Sequence, residues 1–327
     1  MLPFDRAYLE KLTEDDLKEL VYLDSSGFLV GTEETFDEFR GRLLELSDAL
    51  AEFEQKFEQD GDEIEIFEGL TVRKDKRIPP EVIEEAGELT EKYYRFKLTW
   101  APGFFMSRDI GILWGGCAVS DTQHILTVFL IRSTFQNRRK WFIYDRRELL
   151  AHELCHTARN VINDNTLEEF FAYQTAPSRV RRYMGNCFIY KYDAIFFLLP
   201  TLVLLGAQML KTFYDMLYPM WPFWIFALLY PGFLLLRNNV ARRVFFRACS
   251  KLLAFGFCDA SAILFRCNWE DAKTISGLSS PEAFRRFVQQ RAHNDLCWKV
   301  IQHRFVIHNG EHEEESKETE EATDGAA

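Results

Sequence analysis

Apolar residues change their spacing three times along the chain, and each change predicts a different kind of element. Over residues 1–92 they recur at intervals of three and four. Phe36, Phe39, Leu43, Leu46, Leu50, Phe53 and Phe57 form one stripe, which predicts an amphipathic helix over residues 36–57. Thr13, followed by Glu14, Asp15 and Asp16, opens another helix with Leu17, Leu20 and Val21 on its apolar face. Asp60-Gly61-Asp62 and Ile78-Pro79-Pro80 read as turns, and a further helix follows from Glu81 to about Tyr93. From residue 94 to 135 the period falls to two. Residues 94–100, 110–114 and 125–131 read as strands separated by Pro102-Gly103, Gly115-Gly116 and Ser120-Asp121, which makes a small sheet.

The third change is the largest. Residues 194–210 and 216–236 carry no charge, and each run approaches the length needed to cross a hydrocarbon core of about 30 Å. The connection, residues 211–215, is short enough to make the pair a helical hairpin. Pro200, Pro219, Pro222 and Pro231 are better tolerated in membrane helices than in soluble ones. A buried helical pair beneath the rest of the chain is the soluble alternative, but both runs are apolar on every face. Arg179, Arg181, Arg182 and Lys191 precede the hairpin, and Arg237, Arg242, Arg243, Arg247 and Lys251 follow it. Positive charge at both open ends predicts two spans with both termini in the cytoplasm. Beyond the hairpin, residues 238–305 return to helical spacing (Phe245, Leu252, Phe284, Val288), with a turn at 277–281. Residues 309–327 are acidic and lack core-forming side chains, so disorder is expected there, with His308 and His312 solvated.

Composition sharpens this picture at a few points. The net charge is −11, with acid concentrated near both ends and a basic centre. That balance argues against general nucleic-acid binding. Thirty phenylalanines fit either a large core or lipid-facing helices. Seven scattered cysteines with no C-x-x-C pair suit a reducing compartment rather than a disulfide framework or a four-cysteine zinc site. The first residues carry early acids and no apolar run, so no secretory signal is expected. Asn137-Arg138-Arg139-Lys140 suits either a solvated loop or a contact with anionic lipid.

Chemistry concentrates in residues 145–174, DRRELLAHELCHTARNVINDNTLEEFFAYQ. Asp145 is the expected N-cap of a helix carrying His152, Glu153 and His156 as H-E-x-x-H. Positions i and i+4 lie one turn apart on one helix face, so both imidazoles can reach one metal ion. Glu153 projects beside them, where a carboxylate takes a proton from activated water. A hydrolytic zinc site needs a third protein ligand. It has to come from downstream, after the Asn163-Asp164-Asn165 turn, where Glu168 and Glu169 open the next helix. Tyr173, one turn after Glu169 on the same face, is a candidate to stabilise an oxyanion, or simply a packed ring. Cys155, inside the motif, is expected to pack into the core.

The motif resembles that of the zincin metallopeptidases, in which a small sheet precedes the active-site helix and an edge strand pairs with extended substrate. Glu169-Phe-Phe-Ala172 resembles the E-x-x-A segment that supplies the glutamate ligand in gluzincins, including compact proteins of the phage-repressor-cleaving type. The resemblance gives the zinc-ligand role to His152, His156 and Glu169, with Glu168 as the alternate, and the general-base role to Glu153. Where those families often carry an acid four residues after the ligand, this chain has Tyr173, so another group has to orient a metal-bound imidazole. Residues 255–262 resemble the corresponding segment of membrane endopeptidases related to the prenyl-protein and heat-shock proteases, but Phe255 stands at the ligand position. A protease whose motif lies inside a transmembrane helix is also a poor match, because Asp145, Arg146, Arg147, Glu148 and Arg159 flank this one.

The expectation is an α+β protein: a helical N-terminal region (1–93), a zincin-like catalytic core (94–192), a two-helix transmembrane hairpin (193–237), C-terminal helices packing on the core (238–308) and an acidic tail (309–327). Its expected function is zinc-dependent endopeptidase activity on a protein or peptide substrate at the cytoplasmic face of a membrane, with the bilayer contacted through residues 194–236. The alternative is a non-catalytic membrane-anchored scaffold, or a latent protease, that binds a protein partner.

Overall fold

The computed structural model describes residues 2–59, 63–67, 70–106, 115–120, 126–190 and 192–307. Four helices lead the chain: α1 (Arg6–Lys11), α2 (Leu17–Ser25), α3 (Phe36–Gln59) and α4 (Pro80–Tyr94). The stripe on α3 is buried at Phe39, Leu43, Leu46, Leu50, Phe53 and Phe57. Each such side chain contributes about 1.5–3 kcal/mol when fully buried. An antiparallel hairpin, β1 (Glu63–Phe67) and β2 (Leu70–Arg73), interrupts the helices, and helical periodicity gave no sign of it. The expected turn at 60–62 lies outside the described residues.

Pro80 starts α4, and Arg95, in the left-handed conformation (φ 59°), ends it. Residues 95–100 are therefore not the expected strand. Phe96, Leu98 and Trp100 are buried in alternation, but the segment is an extended lead-out from α4, tied to α2 where Lys97 N donates to Ser25 O at 2.8 Å. Packing on two sides produces the period of two without a sheet.

The sheet consists of β3 (Gly103–Met106), β4 (Gly116–Ser120) and β5 (Thr127–Arg132) in the order β3-β5-β4. β3 runs parallel to β5, and β4 runs antiparallel to it. All of β5 is buried, as expected of a central strand. The expected strand at 110–114 lies outside the described residues. A short helix, α5 (Thr134–Asn137), and a two-residue ladder, β6 (Lys140–Trp141) with β7 (Tyr144–Asp145), lead to α6 (Arg146–Arg159) and α7 (Asn165–Gln174). After α8 (Arg179–Met184) come α9 (Asp193–Phe213) and α10 (Trp221–Ala254). The chain closes with α11 (Ala260–Phe265), α12 (Trp269–Gly277), α13 (Pro281–Ala292) and α14 (Leu296–Ile301). The fold is mixed α+β, mostly helical with small sheets. The acidic tail, with His308 and His312, lies outside the described residues.

One continuous core joins the N-terminal helices, the sheet, α6, α7 and the C-terminal helices. Phenylalanines make its joints: Tyr94 stacks on Phe265 at 4.3 Å, Phe171 meets Phe265 at 5.2 Å, and Phe170 meets Phe245 of α10 at 4.6 Å. Arg266 forms a buried ion pair with Asp24 at 2.8 Å, which ties the two ends of the chain together. Asp259, in the segment that resembles another protease family, pairs with Arg95 at 2.6 Å.

Helices α9 and α10 are long and apolar enough to cross a membrane. Only 22% of the apolar window of α9 and 17% of that of α10 is buried, whereas a core helix of a soluble protein is mostly buried. Leu198, Leu202 and Leu205 on α9, and Ile225, Leu229 and Phe233 on α10, stand exposed. That exposure does not fit a helical pair buried beneath the rest of the chain. α10 also does not stop at residue 237 but continues unbroken to Ala254, so its apolar half and its basic half form one rod.

Candidate metal site

Asp145 caps α6 by accepting from Arg147 N at 3.0 Å, and Asp164 caps α7 by accepting from Thr166 N at 3.0 Å. Between them, Asn163 takes the left-handed conformation (φ 53°) that turns α7 back against α6. This antiparallel pair brings the sequence candidates together. The Nε2 atoms of His152 and His156 face each other at 3.1 Å. Glu169 reaches between them, with carboxylate oxygens 3.7 Å from His152 Nε2 and 3.6 Å from His156 Nε2. One donor atom from each of the three lies within 4.8 Å of the others.

The remaining ring nitrogens are also accounted for. His156 Nδ1 lies 2.9 Å from Glu168 Oε1, and the Ala172 carbonyl accepts from the His152 ring. Both second partners come from α7, so a single helix supplies a candidate ligand and orients both imidazoles. Glu168 is thus separated from Glu169 by function: one faces the Nε2 atoms, the other faces Nδ1. Sequence reasoning missed this role, although the tandem carboxylates at the start of α7, about 100° apart on a helix, were a signal for it. Arg159 extends the chain of contacts. It is fully buried, lies 3.3 Å from Asp164 and 3.7 Å from Glu168, and sits over the Phe171 ring.

Glu153 lies on the sheet side. Its Oε2 accepts from the backbone N–H of Ala118 on β4 at 3.0 Å. Among the described residues β5 is central, and β4 is the edge strand that faces the site. Ala118, Thr127, Glu153, His156, Thr157, Asn160 and Glu168 line a cleft of about 350 Å³. Burial raises the Glu153 pKa, as does the charge of Glu169, while His156 and the Ala118 amide oppose the shift. Burial alone would lower His156, but the Glu168 hydrogen bond and the charges of Glu169, Glu153 and Glu168 raise it to about 9. His152 is held well below its ordinary value by burial and by His156. Cys155 is buried, and its thiol is pushed far up by that burial, which makes it a packing residue rather than a redox group.

Tyr173 packs edge-on against His152, with ring centroids 4.6 Å apart. Burial and the Glu169 charge raise its phenol to about 12, so it stays protonated as a donor. The ring lies flat over Gly185, where an added Cβ would fall 2.1 Å from Tyr173 Cγ. Gly185→Ala is therefore expected to push the ring off His152 and cost about 1–3 kcal/mol, visible as a lower melting temperature. An unchanged melting temperature would mean that the ring is not confined. Arg181, read from sequence only as a topology-setting charge, pairs with buried Glu148 one turn before His152.

Neither a protein-family model, nor a curated protein, nor a solved structure matches this chain. The geometry of the site therefore carries the functional argument alone.

Proposed function

We propose that this chain is a zinc-dependent endopeptidase with a zincin-like core, held at the cytoplasmic face of a membrane by α9 and α10. The observation that carries the reading is the convergence of His152, His156 and Glu169. A tetrahedral ion with bonds of about 2.0–2.2 Å requires ligand atoms about 3.3 Å apart. The two Nε2 atoms stand 3.1 Å apart, Glu169 Oε2 lies 3.7 Å from His152 Nε2 and Glu169 Oε1 lies 3.6 Å from His156 Nε2, so a small adjustment of the carboxylate brings one oxygen to that spacing from both rings. Two imidazoles and one carboxylate match a donor set used by hydrolytic zinc, and the oriented Nδ1 atoms leave both Nε2 lone pairs free for the metal.

When bound, zinc supplies Lewis-acid activation of water and of the scissile carbonyl. The chain's own residues do the rest. Glu153 accepts the proton of the attacking water and passes it to the leaving amine; its raised pKa brings it closer to the working pH. The Ala118 N–H holds one of its oxygens, leaving the other free to work. The Tyr173 phenol, still protonated, donates to negative charge that develops on the carbonyl oxygen. The β4 edge offers main-chain pairing to an extended peptide, with Thr127, Thr157 and Asn160 lining the cleft beneath it. The cytoplasmic side is favoured by the arginines that flank both open ends of the hairpin.

The test is the zinc content of the purified full chain together with cleavage of a peptide library. One equivalent of zinc with zinc-dependent cleavage supports the reading. Zinc without cleavage under any condition would leave the scaffold or latent form instead.

A pH dependence follows from the site. With its pKa raised to about 9, His156 carries a proton at neutral pH in the metal-free chain and gives it up on metal binding. Zinc affinity should therefore rise with pH, about tenfold per unit while one proton is displaced, and level off as His156 deprotonates by itself. Chelator competition across the neutral range measures this, and a flat profile would contradict the His156–Glu168 pairing.

A further inference from the structure

Outside α9, α10 and the segment between them, most of the exposed large apolar side chains fall between residues 142 and 192, with Tyr22 and Ile307 elsewhere. Phe142 and Ile143 form the tip of the β6–β7 hairpin, Val180 and Met184 lie one turn apart on α8, and Phe188 follows. Phe142 is 71% exposed and Val180 is 69% exposed. Phe142 also sits in the left-handed conformation (φ 51°), where a bulky side chain is strained and a glycine or asparagine would not be. The Phe142 ring meets the neighbouring Trp141 ring at 6.1 Å and otherwise faces outward.

The region is continuous with the membrane helices. Arg181 Nη1 donates to Ile143 O at 3.3 Å, which joins the hairpin tip to α8. Three contacts join α8 to α10: Asn238 Nδ2 to Tyr183 O at 2.6 Å, Tyr183 OH to Asn239 Oδ1 at 3.0 Å and Arg242 Nη1 to Arg182 O at 3.0 Å. Positions 238–242 follow directly on Arg237, where the apolar run ends. At 1.5 Å per residue, α8 packs about 2–8 Å beyond that point. The headgroup layer occupies about 5–8 Å on each side of the hydrocarbon core, so α8 lies within it. Phe188 meets Phe197 of α9 at 5.6 Å and closes the gap between the lipid-facing helix and α8. Exposed Arg138, Lys140 and Arg179 lie within a few residues of these apolar positions along the chain. Apolar side chains mixed with cations at this depth are the composition of an interfacial anchor.

We propose that the soluble part of the chain is seated on the headgroup layer of the same membrane, in addition to being tethered by its two helices. Phe142, Ile143, Val180 and Met184 dip to the acyl boundary, and Arg138, Lys140 and Arg179 meet anionic lipid phosphates. Gly185, which directly follows α8, carries the Tyr173 ring against His152. The seat therefore holds the metal site close above the bilayer. This inference rests on the reading that α9 and α10 cross a bilayer.

The test uses the full chain with accessible Cys117, Cys249 and Cys258 replaced by serine. It is reconstituted in vesicles of mixed neutral and anionic phospholipid. Single environment-sensitive fluorophores are attached through Phe142→Cys, Val180→Cys, Leu228→Cys in α10, and Glu52→Cys on α3, a helix that packs on α1 and β1. Spin-labelled lipids should quench the probes at 142 and 180 severalfold more than the probe at 52, with shallow labels acting best on them and deep labels best on 228. Quenching at 228 with 142 and 180 no different from 52 would overturn the seat and leave the spans intact. A probe at 228 that no lipid label quenches would overturn the spans, and the seat with them.

Discussion

Glu153→Gln is expected to leave one equivalent of zinc bound and to cut turnover by about 10²–10⁴-fold, the range attributed to a lost general base. Glutamine keeps the shape of the side chain and an oxygen able to accept from Ala118 N, as Glu153 Oε2 does at 3.0 Å, so β4 and α6 should hold their spacing. The amide cannot accept the proton. Glu153 is also absent from the cluster of His152, His156 and Glu169, so metal content should not change. In the proposed mechanism Thr127, Thr157 and Asn160, which also line the cleft, share in holding the peptide, so the loss should fall on kcat with KM little altered. The measurement is zinc per chain beside kcat and KM on one cleaved peptide. Turnover that survives the change would remove Glu153 from the reaction.

The parts of this site that were legible in the sequence are those set by one helix. Spacing of i and i+4 puts His152 and His156 on one face whatever surrounds them. The same is true of the α3 stripe and of the two apolar runs, since each is a local pattern. What was not legible depends on how two elements meet. The division of labour between Glu168 and Glu169 follows from the rotation of α7 against α6, which the Asn163 turn sets and the residue order does not reveal. Family patterns place the partner for a metal-bound imidazole at position 173, where this chain has tyrosine, so the sequence leaves that partner unassigned. In this fold Glu168 orients His156 from the other side, at 2.9 Å. Residues 95–100 failed for a related reason: alternate burial of Phe96, Leu98 and Trp100 records two-sided packing of an extended chain, which sequence cannot separate from a strand. The edge strand was equally hidden. The segment nearest α6 in sequence is central β5, and it is β4 that touches Glu153.

Glu169→Ala and Glu168→Ala should fail in different ways, and the contrast tests the site more closely than either change alone. Removing Glu169 leaves only two imidazoles, and a site short of its third ligand should lose most of its zinc. The metal-free chain should not suffer. Burial and the neighbouring Glu168 raise the Glu169 pKa, only partly offset by His156, so its charge is a strain in the absence of metal and its removal relieves crowding. Removing Glu168 should keep zinc in place with affinity lowered about 10–100-fold, the usual effect of losing the group that orients a ligating histidine. Here the metal-free chain should weaken, because Arg159 is fully buried and loses one of its two carboxylate neighbours, leaving Asp164 at 3.3 Å to balance it. A loss of about 1–3 kcal/mol is the scale for a buried polar group stripped of a partner. Zinc content and metal-free melting temperature together therefore assign the pair: a Glu169 variant poor in zinc but stable, and a Glu168 variant that binds zinc more weakly and melts earlier. The reverse pattern would exchange the two roles and move the ligand to the first carboxylate of α7.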